Sequence, residues 1–203
     1  MKVGRFAAQF GYSMIGALVL ASVWSSRALA QDDHSHGIAS QQRELTAEQK
    51  SQAGALVRTV REATERFKDV AVAEAENYHL LFGCVSGGDY GAMGMHFVNL
   101  AKVFDGGKLD AADPEIVIYE PTPNGRLRLI GADYLVPAAD WDAKNPGNPP
   151  QLMGQLFHFF ESPNRFGLPP FYTLHVWAWK ENPTGAFVNW HTRVSCEGFA
   201  GQD

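Results

Sequence analysis

The feature that most constrains what this chain can fold into is the stretch 171–196, which reads FYTLHVWAWKENPTGAFVNWHTRVSC. Successive side chains of a β-strand point to opposite faces of the sheet, so the residues before Lys180 divide into two sets. One predicted face is aliphatic. The other carries Thr173, His175, Trp177 and Trp179. The pattern therefore predicts that His175 is either a buried core residue without a binding role or part of a ligand site.

Turn residues follow this strand directly. Proline fixes its own φ and glycine accepts a positive φ, so the run Asn-Pro-Thr-Gly at 182–185 favours a chain reversal. We therefore predict that residues 187–195 return as the antiparallel partner of the strand before the turn.

Residues 1–30 have the pattern of a secretory signal peptide. Lys2 and Arg5 form a basic start, residues 13–24 are apolar but too short to span a bilayer, and Ala28-Leu29-Ala30 matches an A-x-A cleavage site. We predict cleavage after Ala30 and a periplasmic or secreted mature chain with no membrane span. Residues 31–45 are polar and aperiodic and are predicted to form a flexible tail.

The charge balance argues against one class of partner. The chain has 22 acidic and 17 basic residues, and three of the basic ones, Lys2, Arg5 and Arg27, lie in the predicted signal. The mature chain is thus more acidic than the whole chain, whose formal net charge is −5. Phosphate backbones are bound by basic surfaces, so we expect no nucleic-acid partner and look instead to a small molecule or a metal ion.

Cys84 and Cys196 are the only cysteines. An even pair in an exported chain most simply forms a disulfide, whereas a zinc site built on two cysteines would need two further ligands nearby. We predict a Cys84–Cys196 disulfide.

The region after the tail predicts an α+β domain spanning 46–203. Thr46 and Gln49 form a capping box, and apolar residues then recur at three-and-four spacing, which predicts a long amphipathic helix that runs to about Tyr78 and is interrupted near Asp69. Residues 115–120 and 126–136 flank a turn that contains Asn-Gly, which predicts a β-hairpin. We expect the helix to pack on a mainly antiparallel sheet of about five to seven strands, with the disulfide tying the segment after the helix to the last strand.

The residues able to carry chemistry are dispersed. The chain has no G-x-S-x-G, H-E-x-x-H or C-x-x-C motif. The remaining candidates are four histidines and two carboxylates: His96, His158, His175, His191, Glu120 and Asp133. Glu120 lies at the turn end of the predicted hairpin and Asp133 lies towards its other end, roughly 20 Å away, so only one of them can join a given site.

We predict a transition-metal site for copper, zinc or iron formed by His96 and His175 with either Glu120 or Asp133. The structural alternative stays open for every member. A strand histidine can be a buried, hydrogen-bonded core residue, and Glu120 can pair across the hairpin with Arg126 or Arg128.

Three functions are compatible with these residues. The first is an exported metal-binding protein that can be a metal-dependent enzyme. The second is a non-catalytic module in which Trp177, Trp179 and Trp190 stack on a small apolar, cationic or sugar-like ligand. The third is a structural or partner-binding domain, for which we expect an exposed apolar patch and no pocket.

The phrases GAMGMHFVN, IVIYEP and LHVWAWKENPTGAF resemble those of secreted bacterial proteins of unassigned activity. The resemblance extends over most of the mature chain but includes no catalytic motif. It implies export and a single domain, and it implies no reaction.

The cleavage prediction can be checked on protein expressed with its native leader. We expect N-terminal sequencing of the mature protein to begin at Gln31, and the intact mass to lack residues 1–30. A mature protein that retains the apolar run 13–24 would contradict the prediction.

Overall fold

The computed structural model describes residues 44–199 of the chain. The predicted signal peptide and all of the predicted tail except residues 44 and 45 lie outside the described residues. Within 44–199, none of the helices has the combination of length and apolarity that crossing a bilayer requires.

The N-terminal helical segment begins where the sequence predicts and consists of three pieces. Helix α1 (Ala47–Thr64) continues into a 3-10 turn (Glu65–Lys68), and α2 (Val70–Ala75) follows. The Thr46 side chain accepts from the backbone N–H of Gln49, and the Gln49 side chain accepts from that of Thr46, so the capping box is present. The predicted break is also present, because the Asp69 side chain caps α2 by accepting from the Ala71 N–H.

Six strands form one antiparallel sheet: β1 His79–Ser86, β2 Ala92–Val98, β3 Ile116–Pro121, β4 Leu127–Pro137, β7 His158–Phe160 and β8 Phe171–Val176. Their order across the sheet is β1-β2-β3-β4-β8-β7. The smaller elements are a 3-10 turn (Gly88–Tyr90), α3 (Leu100–Val103), α4 (Ala138–Asp142) and the pair β5 (Gln151–Leu152) and β6 (Gln155–Leu156). The α+β class and the β3–β4 hairpin are confirmed.

The N-terminal helices cover one face of this sheet. Leu56 and Val60 of α1 belong to the same buried cluster as Tyr134 of β4 and Leu174 of β8. The opposite face has a cluster of its own, formed by side chains that include Ile116, Ile118, Ile130 and Trp177. Alternation along the strands therefore separates a helix-covered face from a second apolar face, which is the concave side of the curled sheet.

The curl depends on two glycines that lie against neighbouring backbone. A Cβ at Gly131 would lie 2.5 Å from the carbonyl oxygen of Val176, and a Cβ at Gly94, where φ is +90°, would lie 2.6 Å from that of Tyr119. Beside Gly131, β4 carries one extra residue, Ile130, opposite the step from Ile118 to Tyr119. Bulges of this kind bend a strand and increase its twist.

The prediction of a return strand after β8 is wrong. Residues 187–195 do not pair with β8; within this segment His191 forms a single antiparallel bridge, and its partner is Ala92 of β2. The strand ends early because the N–H groups of Trp179 and Lys180 both donate to the carbonyl of Ile130, at the bulge. The His191 bridge instead connects the segment after β8 to β2, which holds β2 and β8 closer together across the concave face of the sheet.

Early termination of β8 also moves Trp179. The predicted alternation placed this side chain beside His175, but its Nε1–H donates to Thr64 Oγ1 at 2.9 Å and Lys68 Nζ lies 4.0 Å above its ring. Trp179 therefore packs on the helix-covered face, and the prediction of a shared face is wrong for this residue alone.

The predicted disulfide is confirmed. Cys84 of β1 is bonded to Cys196, and their Cα atoms are 5.7 Å apart. Cys196 lies in the irregular segment after the His191 bridge rather than in a last strand. The bond ties that segment to the edge of the sheet where β1 pairs with β2.

Because of the contact at Gly131, we expect an alanine substitution to destabilise the protein at this position but not at a glycine in helix α1. Gly131→Ala should lower the free energy of unfolding by about 2 kcal/mol or more, because the backbone of β8 must move away from the new Cβ. Gly54→Ala, in α1, is the matched control: its Cβ would meet only the flexible Arg58 side chain at 3.4 Å, and helix propensity should raise stability by up to about 1 kcal/mol. Urea unfolding of both variants would measure the difference, and equal stability would contradict the role given to Gly131.

Candidate metal centre

His96, Asp133 and His175 converge on the concave face. They belong to β2, β4 and β8, and all three are buried, with 7 %, 3 % and 2 % of their surface exposed. Asp133 and His175 are direct partners in the β4–β8 register, whereas β2 lies three strand steps from β8. Three steps in a flat sheet amount to roughly 14 Å. The curl brings the Nε2 atoms of the two histidines to 3.3 Å.

The second nitrogen of each ring faces an acceptor. Nδ1 of His96 lies 3.3 Å from the Gly94 carbonyl oxygen, which can only accept, so this nitrogen carries the proton. Nδ1 of His175 makes no hydrogen bond within normal geometry but lies 3.5 Å from Oδ1 of Asp133, whose negative charge favours an N–H there. The two Nε2 atoms lie within hydrogen-bonding distance, so a ring that carries its proton on Nε2 donates to the other ring. With the proton of each ring on Nδ1, both Nε2 lone pairs are instead free to bind a cation that lies between them.

The separation of these lone pairs fits a transition metal. An ion about 2.1 Å from each nitrogen would see the two Nε2 atoms, 3.3 Å apart, at an angle of about 105°, close to tetrahedral. One ligand atom from each of His96, Asp133 and His175 lies within 4.8 Å of the others, so the three residues can hold a metal ion.

Asp133 is positioned by a neighbour that the sequence did not identify as part of a site. The Thr173 hydroxyl donates to Oδ1 of Asp133 at 2.5 Å, and the same oxygen faces Nδ1 of His175. A carboxylate in this position fixes the ring orientation of a ligating histidine. The available signal was the two-residue spacing of Thr173 and His175, which places both on one face of β8.

Burial sets the charge states of the centre. It lowers the pKa of His96 to about 4 and that of His175 to about 3, so both rings are neutral at pH 7, which is the metal-binding form. Burial raises the pKa of Asp133 to about 6, partly offset by His96 and the Thr173 hydroxyl, so the carboxyl is ionised at pH 7.

Glu120 is the carboxylate that does not join the centre. Lys180 Nζ lies 2.6 Å from its Oε1 and Arg128 pairs with its Oε2. Burial raises the pKa of Glu120, but these two cations outweigh the effect and hold it below its ordinary value. Of the two interpretations kept for Glu120, the structure supports the ion pair, and Asp133 is the carboxylate beside the histidines.

The other two histidines lie elsewhere. His158 is exposed, and its Nε2 is 3.2 Å from the carbonyl oxygen of Phe187. His191 is fully buried: its ring and that of Trp177 meet edge to face with centroids 5.0 Å apart, and its Nδ1 accepts from the Arg193 N–H.

The three tryptophans of the stacking hypothesis occupy separate environments. Trp177 packs beside His175, with ring centroids 5.6 Å apart, and its Nε1–H donates to the Val188 carbonyl. Trp190 lies against Gly87 and 5.5 Å from the guanidinium of Arg165. Since Trp179 is on the helix-covered face, the three indoles do not form one surface.

An apolar cavity of about 140 Å³ adjoins the metal-site residues. Its polar lining residues within 44–199 are His96, Asp133, Thr173 and His175. Its phenylalanine lining residues are Phe82, Phe104, Phe160, Phe166 and Phe171. No motif in the sequence predicts this cavity; the sequence signal that corresponds to it is the density of phenylalanine and proline between 157 and 171.

Comparisons of the chain with family models, with curated proteins and with solved structures found no match. The resemblance to secreted bacterial proteins therefore stays a prediction, and the functional argument rests on the site itself.

The lowered histidine pKa values predict acid sensitivity in the metal-free protein. Unfolded histidines take up protons near pH 6.5, while the folded ones do so only near pH 4 and 3, so these residues contribute less stability as the pH falls below 6.5. Asp133 acts in the opposite direction, because its folded pKa lies above its unfolded value of 3.8. We expect the stability difference between the parent and a His96→Gln/His175→Gln variant to fall between pH 7.5 and 4.5, by at most about 1.4 kcal/mol per imidazole per pH unit.

Urea unfolding of both proteins at the two pH values, with a chelator present, measures this difference. Each protein carries the same other titrating groups, including Glu115, whose pKa burial raises to about 8. A difference that is equal at both pH values would contradict the assigned charge states.

Proposed function

We propose that this protein is an exported metal-binding protein whose centre is formed by His96, His175 and Asp133. The observation that carries the proposal is the approach of two buried Nε2 atoms to 3.3 Å while an acceptor faces the other nitrogen of each ring. With each proton on Nδ1, both Nε2 lone pairs face the same buried point, where a metal ion can accept them. The negative charge of Asp133 stabilises the cation there.

The donor set indicates the class of metal. Two imidazoles and one carboxylate suit zinc, copper or iron, whereas calcium and magnesium prefer shells made of oxygen atoms. His96 and His175 would be the nitrogen ligands. Asp133 would either complete the set or hold His175 through Nδ1, and in both roles its negative charge stabilises the bound cation.

An enzymatic role is the more specific form of this proposal. Within the described residues three protein ligands converge and line the apolar cavity, so a bound metal would keep an open position on that side. Catalytic metal sites share this feature, whereas structural zinc sites are closed by four protein ligands. The metal would polarise an oxygen group on a bound molecule or activate water.

Export is proposed together with metal binding. The Cys84–Cys196 disulfide supports it, because such bonds form and persist in oxidising compartments. The predicted signal at 1–30 supplies the route. A chain exported in an unfolded state would acquire its metal outside the cytoplasm.

Metal analysis of protein purified from the periplasm tests the proposal. We expect about one zinc, copper or iron ion per chain by elemental analysis, or after loading with each ion in turn, in the parent and in His158→Gln. His96→Gln and His175→Gln should each lose stoichiometric metal, and Asp133→Asn should weaken binding about 10- to 100-fold.

His158→Gln is the matched control because it removes an exposed imidazole that is not one of the three converging residues, although His158 lies on the neighbouring strand and pairs with Thr173. Two histidines outside the described residues, His34 and His36, can bind metal adventitiously, so every variant is compared in a His34→Gln/His36→Gln background. Absence of stoichiometric metal in the parent, or equal affinity in all variants, would overturn the proposal.

A further inference from the structure

The cavity beside the metal centre is polar at one place only. Apart from His96, Asp133, Thr173 and His175, its lining residues within the described part of the chain are apolar. The cavity includes no lysine or arginine among those residues. A bound metal would therefore be the one strong attractor for a charged group on a ligand, and the remaining surface would contact an apolar body.

The size and walls of the cavity indicate what kind of body fits. An apolar protein cavity of about 150 Å³ is large enough to hold benzene, and this one measures about 140 Å³. Phe160 and Phe171 stack with centroids 5.0 Å apart, and Phe82 and Phe166 meet at 5.6 Å. Phenylalanine rings offer faces and edges that pack well on another ring. One aromatic ring, or an apolar group of that volume, fits this space.

The charge of the centre indicates the head group. A divalent ion with the Asp133 carboxylate and two neutral imidazoles has a net charge of +1, which the apolar walls do not compensate. Burying an uncompensated charge is unfavourable. An anionic oxygen donor that binds the open position of the metal cancels this charge.

The entrance to the cavity has the same apolar character. Three large apolar side chains of the lining are also exposed at the surface: Phe82 of β1 is 49 % exposed, and Leu100 and Phe104, in and just after α3, are 50 % and 68 % exposed. Large exposed apolar side chains around a pocket mark a site for an apolar ligand.

We propose that the cavity binds a small anionic amphiphile, with an apolar body about the size of one aromatic ring and a single carboxylate or phenolate oxygen that coordinates the metal. The inference rests on the proposed metal-binding function and adds the class of ligand that the centre would handle. Binding would be reversible coordination, with no bond broken in the ligand.

Titration of the Co²⁺-loaded protein with three probes tests this inference. Benzoate has both the head and the ring, acetate has the head alone, and benzamide has the ring without the charge. We expect benzoate to change the visible absorption of Co²⁺ and to bind about tenfold or more tightly than acetate, since it removes a ring from water. Benzamide should leave the cobalt spectrum unchanged.

A cavity-filling variant supplies the control. Val103→Phe places a ring in the cavity without altering the metal-site residues, so it should retain Co²⁺ but reduce benzoate affinity to that of acetate. Leu156→Phe adds the same ring at an exposed position outside the cavity and should behave as the parent does. If Val103→Phe does not fold, the comparison of the three probes on the parent decides the inference alone.

The outcomes separate the two proposals. Stoichiometric Co²⁺ with benzoate binding no more tightly than acetate would overturn the ligand class and leave the metal centre in place. Tighter benzoate binding without a change in the cobalt spectrum would overturn coordination by the head group. Failure of the parent to bind Co²⁺ at His96 and His175 would overturn the proposed function and this inference with it.

Discussion

The close approach of backbone to backbone at Gly131 is the constraint on which the rest of the structure depends. With no side chain at this position, the carbonyl of Val176 can lie where a Cβ would otherwise be, 2.5 Å from it. Beside it, Ile130 forms the bulge that receives the N–H groups of the chain leaving β8. The sheet curls at this point, and β2 and β8 approach each other across its concave face. The candidate metal centre exists because of that curl.

The concave face has apolar walls and, between them, a small group of buried polar atoms that belong to His96, Asp133 and His175. Each buried histidine has one nitrogen directed at an acceptor and one directed at the other ring. Helix packing buries the opposite face of the sheet, and a separate apolar cluster on the concave side packs beside the cavity. The buried group of His96, Asp133 and His175 lies on this second side, next to the cavity.

Local patterns predicted the elements well where neighbouring residues alone decide the structure. The capping box at Thr46, the break at Asp69, the hairpin of β3 and β4, and the alternation of Thr173, His175 and Trp177 all depend on contacts within a few residues or across one turn. Two cysteines can form only one intrachain bond, so their pairing was also predictable. The prediction of a return strand at 187–195 was wrong because the chain after Val176 hydrogen-bonds to Ile130 at the bulge, which is distant in sequence. These bonds end β8 and change the positions of Trp179 and His191.

The sequence by itself determined that His175 and Asp133 would each lie on a sheet and that Glu120 and Asp133 could not share one site, since strand geometry fixes distances along a hairpin. It could not decide which carboxylate joins the histidines, because Glu120 is held away from them by its hydrogen bond with Lys180, which lies 60 residues away in the chain. It selected His96 and His175 together as candidate ligands, but no local pattern fixes the distance between two residues 79 positions apart. Only the tertiary structure decided that pairing, because it follows from how far the sheet bends between β2 and β8.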